Sequence, residues 1–147
     1  MKYSDEARKA LTEACEGVRL AAYPDPGSGA APWTIGYGHT KGVLPGDRCT
    51  VMEADAWLKA DVAEAEIAVD KLVQVELTQH QFDALVDFTF NCGAGNLQHS
   101  TLLRLLNESD FAGADAHFKD WVKGGGHVLP GLVKRRQLEA VWFNTGD

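Results

Sequence analysis

The chain lacks several features that would place it in common functional classes. Its 147 residues include only three cysteines, Cys15, Cys49 and Cys92, which are widely spaced and form no CxxC pair. An odd number at such spacing is typical of reduced thiols and not of a disulfide framework or a zinc site. No apolar run approaches the roughly 18 residues that span a membrane. The segment after Met1 also lacks the basic and apolar regions of a secretory signal, so we expect no membrane insertion.

Basic residues are also in the minority. Lysine and arginine number 14 against 21 acidic residues, and the formal net charge is −7. Residues 47–87 hold ten of the acids and only three bases, which is typical of a solvated helix face. Nucleic-acid binding depends on neutralising phosphates with lysine and arginine. The charge therefore predicts that nucleic acid is not a partner.

Glycine and proline divide the rest of the chain into two kinds of segment. Both are dense in residues 17–46, with short apolar runs between them, which predicts a β-hairpin. Elsewhere apolar residues recur at helical spacing behind Ser or Thr caps. Helices are predicted at about 4–16, 50–72, 78–92, 101–107, 111–121 and 131–143, with a break at Gly124-Gly125-Gly126.

These elements predict an α+β fold in a single domain over residues 1–147. Apolar residues make up 45% of the chain, which is enough for a sizeable core. The predicted β lobe covers about 17–49, and the helix that starts near Thr50 connects it to a larger helical lobe. That lobe comprises about 73–147 together with the first helix.

Three polar residues near the start are candidates for chemistry. Glu16 ends the first predicted helix, where the helix dipole and partial burial both favour the protonated carboxyl of a general acid. Asp25 lies between two prolines, and Thr34 lies in an alternating apolar stretch. Taken singly, the three are typical of a surface carboxylate, a turn residue and a strand residue. Two carboxyls that face one cleft are nevertheless the minimum equipment for hydrolysing a glycosidic bond.

The motifs around these residues follow a recognisable order. They are Glu16-Gly-Val-Arg-Leu, Tyr23-x-Asp25, Thr34-Ile-Gly-Tyr-Gly-His39-Thr, Gln81-Phe-Asp-Ala-Leu, Phe88-Thr-Phe-Asn-Cys-Gly93 and Leu129-Pro-Gly-Leu-Val. The set resembles the phage-type lysozymes of glycoside hydrolase family 24, closest to the lambdoid-like phage lysozymes, over nearly the whole chain. The resemblance implies a lysozyme-like fold and an endolysin that acts in host lysis. Its substrate would be the β-1,4 bond between N-acetylmuramic acid and N-acetylglucosamine in bacterial peptidoglycan.

The resemblance also implies residue roles. Glu16 matches the family's general acid, Asp25 the second catalytic carboxylate, and Thr34 the residue that helps to hold the attacking water in an inverting reaction. Neither a metal nor a cofactor is implied. Three residues match positions that line the family's cleft: Phe90, Asn91 and Trp121. There they would bind substrate or pack in the core.

Two further residues match a structural pair of the family. His39 follows the predicted hairpin and Asp61 lies on the connecting helix, so we expect an ion pair that ties the β lobe to that helix.

The sequence departs from the family pattern in two places. The loop at 26–33 is longer than in shorter-hairpin members, which bears on how Asp25 is positioned. Some members pair the catalytic glutamate with an arginine on the last helix, but Leu132 occupies the aligned place. A partner for Glu16 would be Arg19, Arg135, Arg136 or none at all. We expect the run Lys134-Arg135-Arg136 to be a solvated helix face.

Rival functions are a lytic transglycosylase, which needs a single glutamate, and a non-catalytic wall-binding module of a virion. The complete Glu-Asp-Thr set argues against both. For an endolysin we expect a monomer that accumulates in the host cytoplasm and reaches the wall by holin-dependent release.

Overall fold

The computed structural model describes residues 1–25 and 28–146. It is mostly helical with two small antiparallel sheets, so the predicted α+β class is confirmed. The chain begins with three consecutive helical elements, α1 (Asp5–Ala7), a π-helical segment (Arg8–Glu13) and α2 (Ala14–Glu16).

The predicted cap of the first helix is present, but the π-helical segment was not predicted. The Ser4 hydroxyl accepts a hydrogen bond from the Ala7 N–H at 3.1 Å. The helical segment ends at Gly17, whose φ of 63° suits a residue without a side chain. Wide π turns inside helices occur often at functional sites. Here the π-helical segment lies directly before the turn that carries Glu16.

The predicted hairpin consists of β1 (Arg19–Tyr23) and β2 (Thr34–Gly36), which pair antiparallel. Their register is irregular between the Arg19–Gly36 and Tyr23–Thr34 pairs. Two isolated bridges extend the β lobe, from Ala21 to Arg48 and from Ile35 to His39. Part of the loop that joins the strands, at positions 26 and 27, lies outside the described residues.

Two long helices follow, each with the predicted capping box. Thr50 caps α3 (Val51–Leu72) and Thr78 caps α4 (Gln79–Cys92), with reciprocal bonds to the third residue of each helix. α4 packs against α3 on one side and against the last helix on the other. Because α4 lies between these two helices, nearly every side chain in its middle turns is buried, including that of Asp87.

The C-terminal part differs from prediction in three places. Its elements are α5 (Ala94–Gln98), α6 (Thr101–Asn107), α7 (Phe111–Asp115), a 3-10 turn (Phe118–Asp120), β3 (Lys123–Gly124), β4 (His127–Val128) and α8 (Pro130–Phe143). The single helix predicted at 111–121 is wrong, because α7 stops at Asp115. In the following 3-10 turn, residues three apart share a face. Phe118 and Trp121 accordingly both meet the Phe88 ring edge-on, with centroids 5.8 Å apart in each case.

The predicted break at the glycine run is a tight hairpin. Gly125 and Gly126 have φ of 59° and 82° and join the paired strands β3 and β4. Two consecutive positive φ values are what a two-residue hairpin turn requires. Glycines therefore allow the chain to reverse here, just before Pro130 opens α8. The short α5 was not predicted.

The basic run on α8 is not a solvated face, which corrects that expectation. Lys134 is exposed, but Arg135 and Arg136 are only 3% and 1% exposed. Buried cations persist in proteins when they are paired. Both arginines are paired with carboxylates, as described below. None of the helices in the described parts of the chain is long and apolar enough to cross a bilayer.

Candidate active site

A cleft of about 910 Å³ collects every residue that the sequence marked as catalytic or substrate-binding. Its walls come from the end of α2, the β lobe, the end of α4, the β3 strand and the start of α8. The predicted residues among its lining are Glu16, Asp25, Thr34, Phe90, Asn91 and Trp121. Residues that lie between positions 16 and 121 of the sequence are thus brought to one surface by packing of the two lobes.

Glu16 is held by a cation from the other end of the chain. Its side chain is 15% exposed, and Arg135 Nη1 donates a hydrogen bond to its Oε1 at 2.5 Å. Of the partners that the sequence left open, the structure selects Arg135. A charge-assisted bond of this kind fixes the carboxyl's direction in the cleft.

A glycine on the β lobe lies directly against the same carboxyl. A Cβ atom built on Gly38 would lie 2.6 Å from Glu16 Oε2, well inside van der Waals contact. The φ of 78° at this position also disfavours any residue with a side chain. Sequence reasoning did not select Gly38 as a site residue, although it belongs to the Gly-Tyr-Gly motif after Thr34.

Asp25 and Thr34 are held by their own loop. Asp25 Oδ2 accepts a hydrogen bond from the Ser28 N–H at 3.0 Å, as an ordinary turn aspartate does. The Thr34 hydroxyl donates to the Pro32 carbonyl at 3.3 Å, and its side chain is largely buried. Asp25 therefore both closes its own turn and lines the cleft.

Arg135 is itself anchored by a buried carboxylate on α4. Its Nε and Nη2 donate to the two oxygens of Asp87 at 2.9 and 2.8 Å, a bidentate arrangement. The Thr12 hydroxyl donates to Asp87 Oδ1 at 2.7 Å, and Tyr3 Oη lies 2.8 Å from that hydroxyl. A chain of contacts therefore runs from the N-terminal helix through Asp87 and Arg135 to Glu16.

The charge of Asp87 depends on this pairing. Burial by itself would raise the pKa of Asp87, but the Arg135 guanidinium and the hydrogen bonds to the carboxylate hold that pKa well below its usual range. Sequence reasoning missed this residue. The available signal was a carboxyl on the apolar face of a predicted helix, which requires a partner.

Arg136 makes a second set of contacts, which include the end of α4. Its guanidinium donates to Asn91 Oδ1 at 2.8 Å, Cys92 Sγ at 2.5 Å and Glu139 Oε2 at 2.9 Å. It also lies over the Phe88 ring, 5.2 Å from the centroid. Arg136 therefore fixes the end of α4 where it lines the cleft.

Glu139 is fully buried beside both arginines. Burial raises the pKa of Glu139 well above its usual range, and a hydrogen bond with the neighbouring Asp87 raises it further. Arg135 and Arg136 oppose this shift without reversing it. The cluster thus combines two cations with two buried carboxyls whose pKa values are shifted in opposite directions.

His39 and Asp61 meet as the sequence suggested. His39 Nδ1 lies 2.8 Å from Asp61 Oδ2 on α3, and the imidazole stacks on Trp57 with the ring centroids 4.7 Å apart. This contact joins the β lobe to the connecting helix. In the described parts of the chain, no group of His, Cys, Asp and Glu side chains is arranged to hold a metal ion.

The chain is similar in sequence to known phage endolysins. The chain is 41% identical to the endolysin of Acyrthosiphon pisum secondary endosymbiont phage 1 over 139 residues, 92% of this chain and 93% of that protein. It is 44% identical to the endolysin of Bacillus phage B103 over 142 residues, which is 93% of this chain but 52% of that relative. It therefore spans about half of the Bacillus phage protein.

A solved structure shares the whole fold. The muramidase domain of SpmX from Asticaccaulis excentricus superposes with a TM-score of 0.86 at 38% identity, and the match covers 99% of each chain. The phage lysozyme family model matches residues 13–139, which include all the cleft residues discussed above. The chain therefore belongs to the phage lysozyme family.

Proposed function

We propose that this protein is an endolysin that hydrolyses the β-1,4 bond between N-acetylmuramic acid and N-acetylglucosamine in peptidoglycan. The observation that carries the proposal is the single cleft in which Glu16, Asp25 and Thr34 all lie. The relatives named endolysin and muramidase support the same substrate class.

In the proposed mechanism, the Glu16 carboxyl donates its proton to the glycosidic oxygen as the bond from that oxygen to the anomeric carbon breaks. A water molecule held by Asp25 and the Thr34 hydroxyl attacks the anomeric carbon from the opposite face. Asp25 takes the proton that the water loses, and the new hydroxyl has inverted configuration. Such a pair needs a separation of roughly 6.5–9.5 Å so that a water fits between carboxyl and sugar.

The two carboxyls are suited to different tasks by their surroundings. Glu16 is largely buried against Arg135 and Gly38, so its proton is aimed in one direction. Asp25 is half-buried on a turn and retains access to solvent, from which the attacking water comes. General acid–base catalysis of this kind contributes about 10²–10⁴ to a rate.

Phe90, Asn91 and Trp121 are the proposed substrate-binding residues. Aromatic faces and a few placed polar groups are the usual lining of a site that binds neutral sugars. We assign His39 and Asp61 a structural role, because their contact joins the β lobe to the connecting helix.

The direct test is digestion of purified peptidoglycan. Wild-type protein should release fragments with free reducing ends, and Glu16→Gln should lose nearly all of this activity. Glu6→Gln, an exposed substitution in the same N-terminal helical segment, is the matched control and should retain it. Release of 1,6-anhydro ends, detected by mass spectrometry, would identify a lytic transglycosylase instead.

A second measurement separates hydrolysis from wall binding and tests the stereochemistry. Protein that sediments with peptidoglycan but releases no fragments would be a wall-binding module, the other rival. Proton NMR of the first products reports the anomer, and initial formation of the α form from the β-linked glycan would support inversion.

We further propose that the protein is a monomer that accumulates in the host cytoplasm, reaches the wall after a holin opens the membrane, and does not bind nucleic acid. Expression with and without a holin tests the route: lysis should require both proteins. Lysis by this chain alone would contradict holin dependence. Light scattering and a gel-shift assay test the other two points.

A further inference from the structure

The Arg136–Asn91 contact determines which way the Asn91 amide faces. An arginine guanidinium carries only hydrogen-bond donors, and so does the amide nitrogen of asparagine. The group 2.8 Å from Arg136 Nη2 must therefore be the amide oxygen, as the structure has it. The amide nitrogen, Nδ2, is therefore the group that does not contact Arg136.

Within residues 1–25 and 28–146, that nitrogen has no acceptor. Among the bonds of the described residues, the Asn91 side chain accepts from Arg136 and weakly from the Cys92 thiol at 3.8 Å, and its Nδ2 donates to none. Asn91 is half-buried and lines the cleft. A half-buried amide N–H without a partner is costly unless water or a ligand accepts from it.

The contact is also held firmly. Arg136 is 1% exposed, and its Nε lies 2.7 Å from Glu139 Oε1 in addition to the bond from Nη2 to Oε2. The Phe88 ring covers one face of the guanidinium, and Nη1 reaches the Trp121 carbonyl at 3.5 Å. With so many partners, the guanidinium cannot turn away to let the amide flip.

We propose that Arg136 is a positioning residue that makes Asn91 a dedicated hydrogen-bond donor for an acceptor oxygen of the glycan. The inference rests on the proposed function, and the strongest acceptors that an N-acetylated glycan repeats along its length are its acetamido carbonyl oxygens. A hydroxyl oxygen is the other source of the same chemistry.

The decisive variant is Asn91→Asp. Aspartate keeps the shape and accepts from Arg136, but it has no N–H to offer the substrate. KM for solubilised peptidoglycan should rise about tenfold while kcat changes less than twofold, because a lost neutral hydrogen bond weakens binding by about this factor. Asn144→Asp makes the same change at an exposed site and should leave both constants unchanged. An unchanged KM in Asn91→Asp overturns the proposal.

A second substrate identifies the acceptor. On peptidoglycan that has been chemically de-N-acetylated, the KM of wild type should rise to that of Asn91→Asp, which then shows no further rise. If Asn91→Asp raises KM equally on both substrates, the donor is confirmed and a hydroxyl is its acceptor.

A double-mutant cycle tests whether Arg136 acts through Asn91. Arg136→Lys keeps the charge but loses the forked donor geometry, and should raise KM severalfold. In an Asn91→Ala background the same substitution should leave KM unchanged. A full additional rise there would show that Arg136 acts independently, which overturns its positioning role.

One measurement is independent of catalysis. In ¹⁵N-labelled protein the Asn91 side-chain amide signals should shift when soluble glycan fragments bind, and the Asn144 amide signals should not. If the shift is seen but no reducing ends are released, binding through Asn91 stands and the proposed hydrolysis fails. If a glycan shifts the signals of other cleft residues but not those of the Asn91 amide, the proposal itself is contradicted.

Discussion

The two carboxyls of the cleft are held by very different parts of the chain. Glu16 is bound by Arg135, which lies 119 positions away and is anchored in turn by Asp87 in the core. Asp25 is bound by the N–H of Ser28, three positions away in an exposed loop. Placement of Glu16 therefore depends on the whole fold, whereas placement of Asp25 depends on one turn. Substitutions around Glu16 should affect stability and activity together, and those at Asp25 should separate the two.

The largest effect on stability is expected from Arg135→Met. Removing this cation leaves Asp87 buried without its partner, and breaking a buried pair costs about 3–5 kcal/mol. Urea unfolding should show this loss in the free energy of unfolding, and hydrolysis should fall as well. Lys134→Met, on the exposed neighbour, is the control and should stay within about 0.5 kcal/mol.

A double variant extends this test. Arg135→Met combined with Asp87→Leu removes both charges, so most of the stability should return without the activity. Recovery of activity together with stability would mean that Arg135 has no part in placing Glu16.

A smaller loss of stability, about 1–3 kcal/mol, is expected from Gly38→Ala, since alanine is strained at positive φ. The new methyl group would also displace the Glu16 carboxyl, and a misplacement near 1 Å can cost about 10²-fold in rate. Gly42→Ala is a matched control, because its φ of 68° is similar but no atom lies within 4 Å of the added carbon. Equal loss of activity in both variants would assign the effect to backbone strain alone.

The buried cluster should also make stability depend on pH through Glu139. Its pKa is raised in the folded protein, so its contribution is fully present below the unfolded value, near 4.5, and is lost as pH rises above that value. The glutamine in Glu139→Gln cannot ionise. The melting temperature of this variant should therefore increase relative to that of wild type as the pH rises from 5 to 8. The slope is at most about 1.4 kcal/mol per pH unit for one group.

The exposed Glu108→Gln provides the control and should leave the pH dependence unchanged. Parallel melting curves for wild type and Glu139→Gln across this range would show that Glu139 is ionised in the fold.

The smallest effect on stability is expected from Asp25→Asn. The asparagine oxygen still accepts from the Ser28 N–H, so the free energy of unfolding should change by about 0.5 kcal/mol or less. Hydrolysis should nevertheless fall by about 10²–10⁴, because the amide cannot take a proton from water. Thermal melts and peptidoglycan digestion on the same samples measure both quantities. If Asp25→Asn lowered both the stability and the hydrolysis rate, Asp25 would not differ from Glu16 in this respect.

Much of the fold was accessible from the sequence because its signals are local. The capping boxes at Thr50 and Thr78 are bonds between residues three apart, and each marks the start of its helix correctly. Gly125-Gly126 carries the local signal of a two-residue hairpin, although the glycine run by itself predicts only a break. The end of α7 at Asp115 has no comparable local signal, since packing of Phe118 and Trp121 on Phe88 decides it.

The same distinction between local signals and long-range packing applies to the candidate site. The order of motifs along the sequence selected Glu16, Asp25 and Thr34 as candidates, and the structure brings the three into one cleft. The pattern of charges, however, suggested that Arg135 and Arg136 face solvent. Only the packing of α8 on α4 could decide their burial, because the partners Asp87 and Asn91 lie more than 40 positions away in sequence.

The sequence by itself therefore determined where the two long helices begin and which polar residues are candidates for chemistry. Those properties depend on bonds within a few residues and on motif order. Tertiary structure alone decided which cation holds Glu16, why position 38 has no side chain, and which way the Asn91 amide faces. Each of these depends on a contact between distant segments, and in a close-packed interior the position of one side chain is set by its neighbours in space.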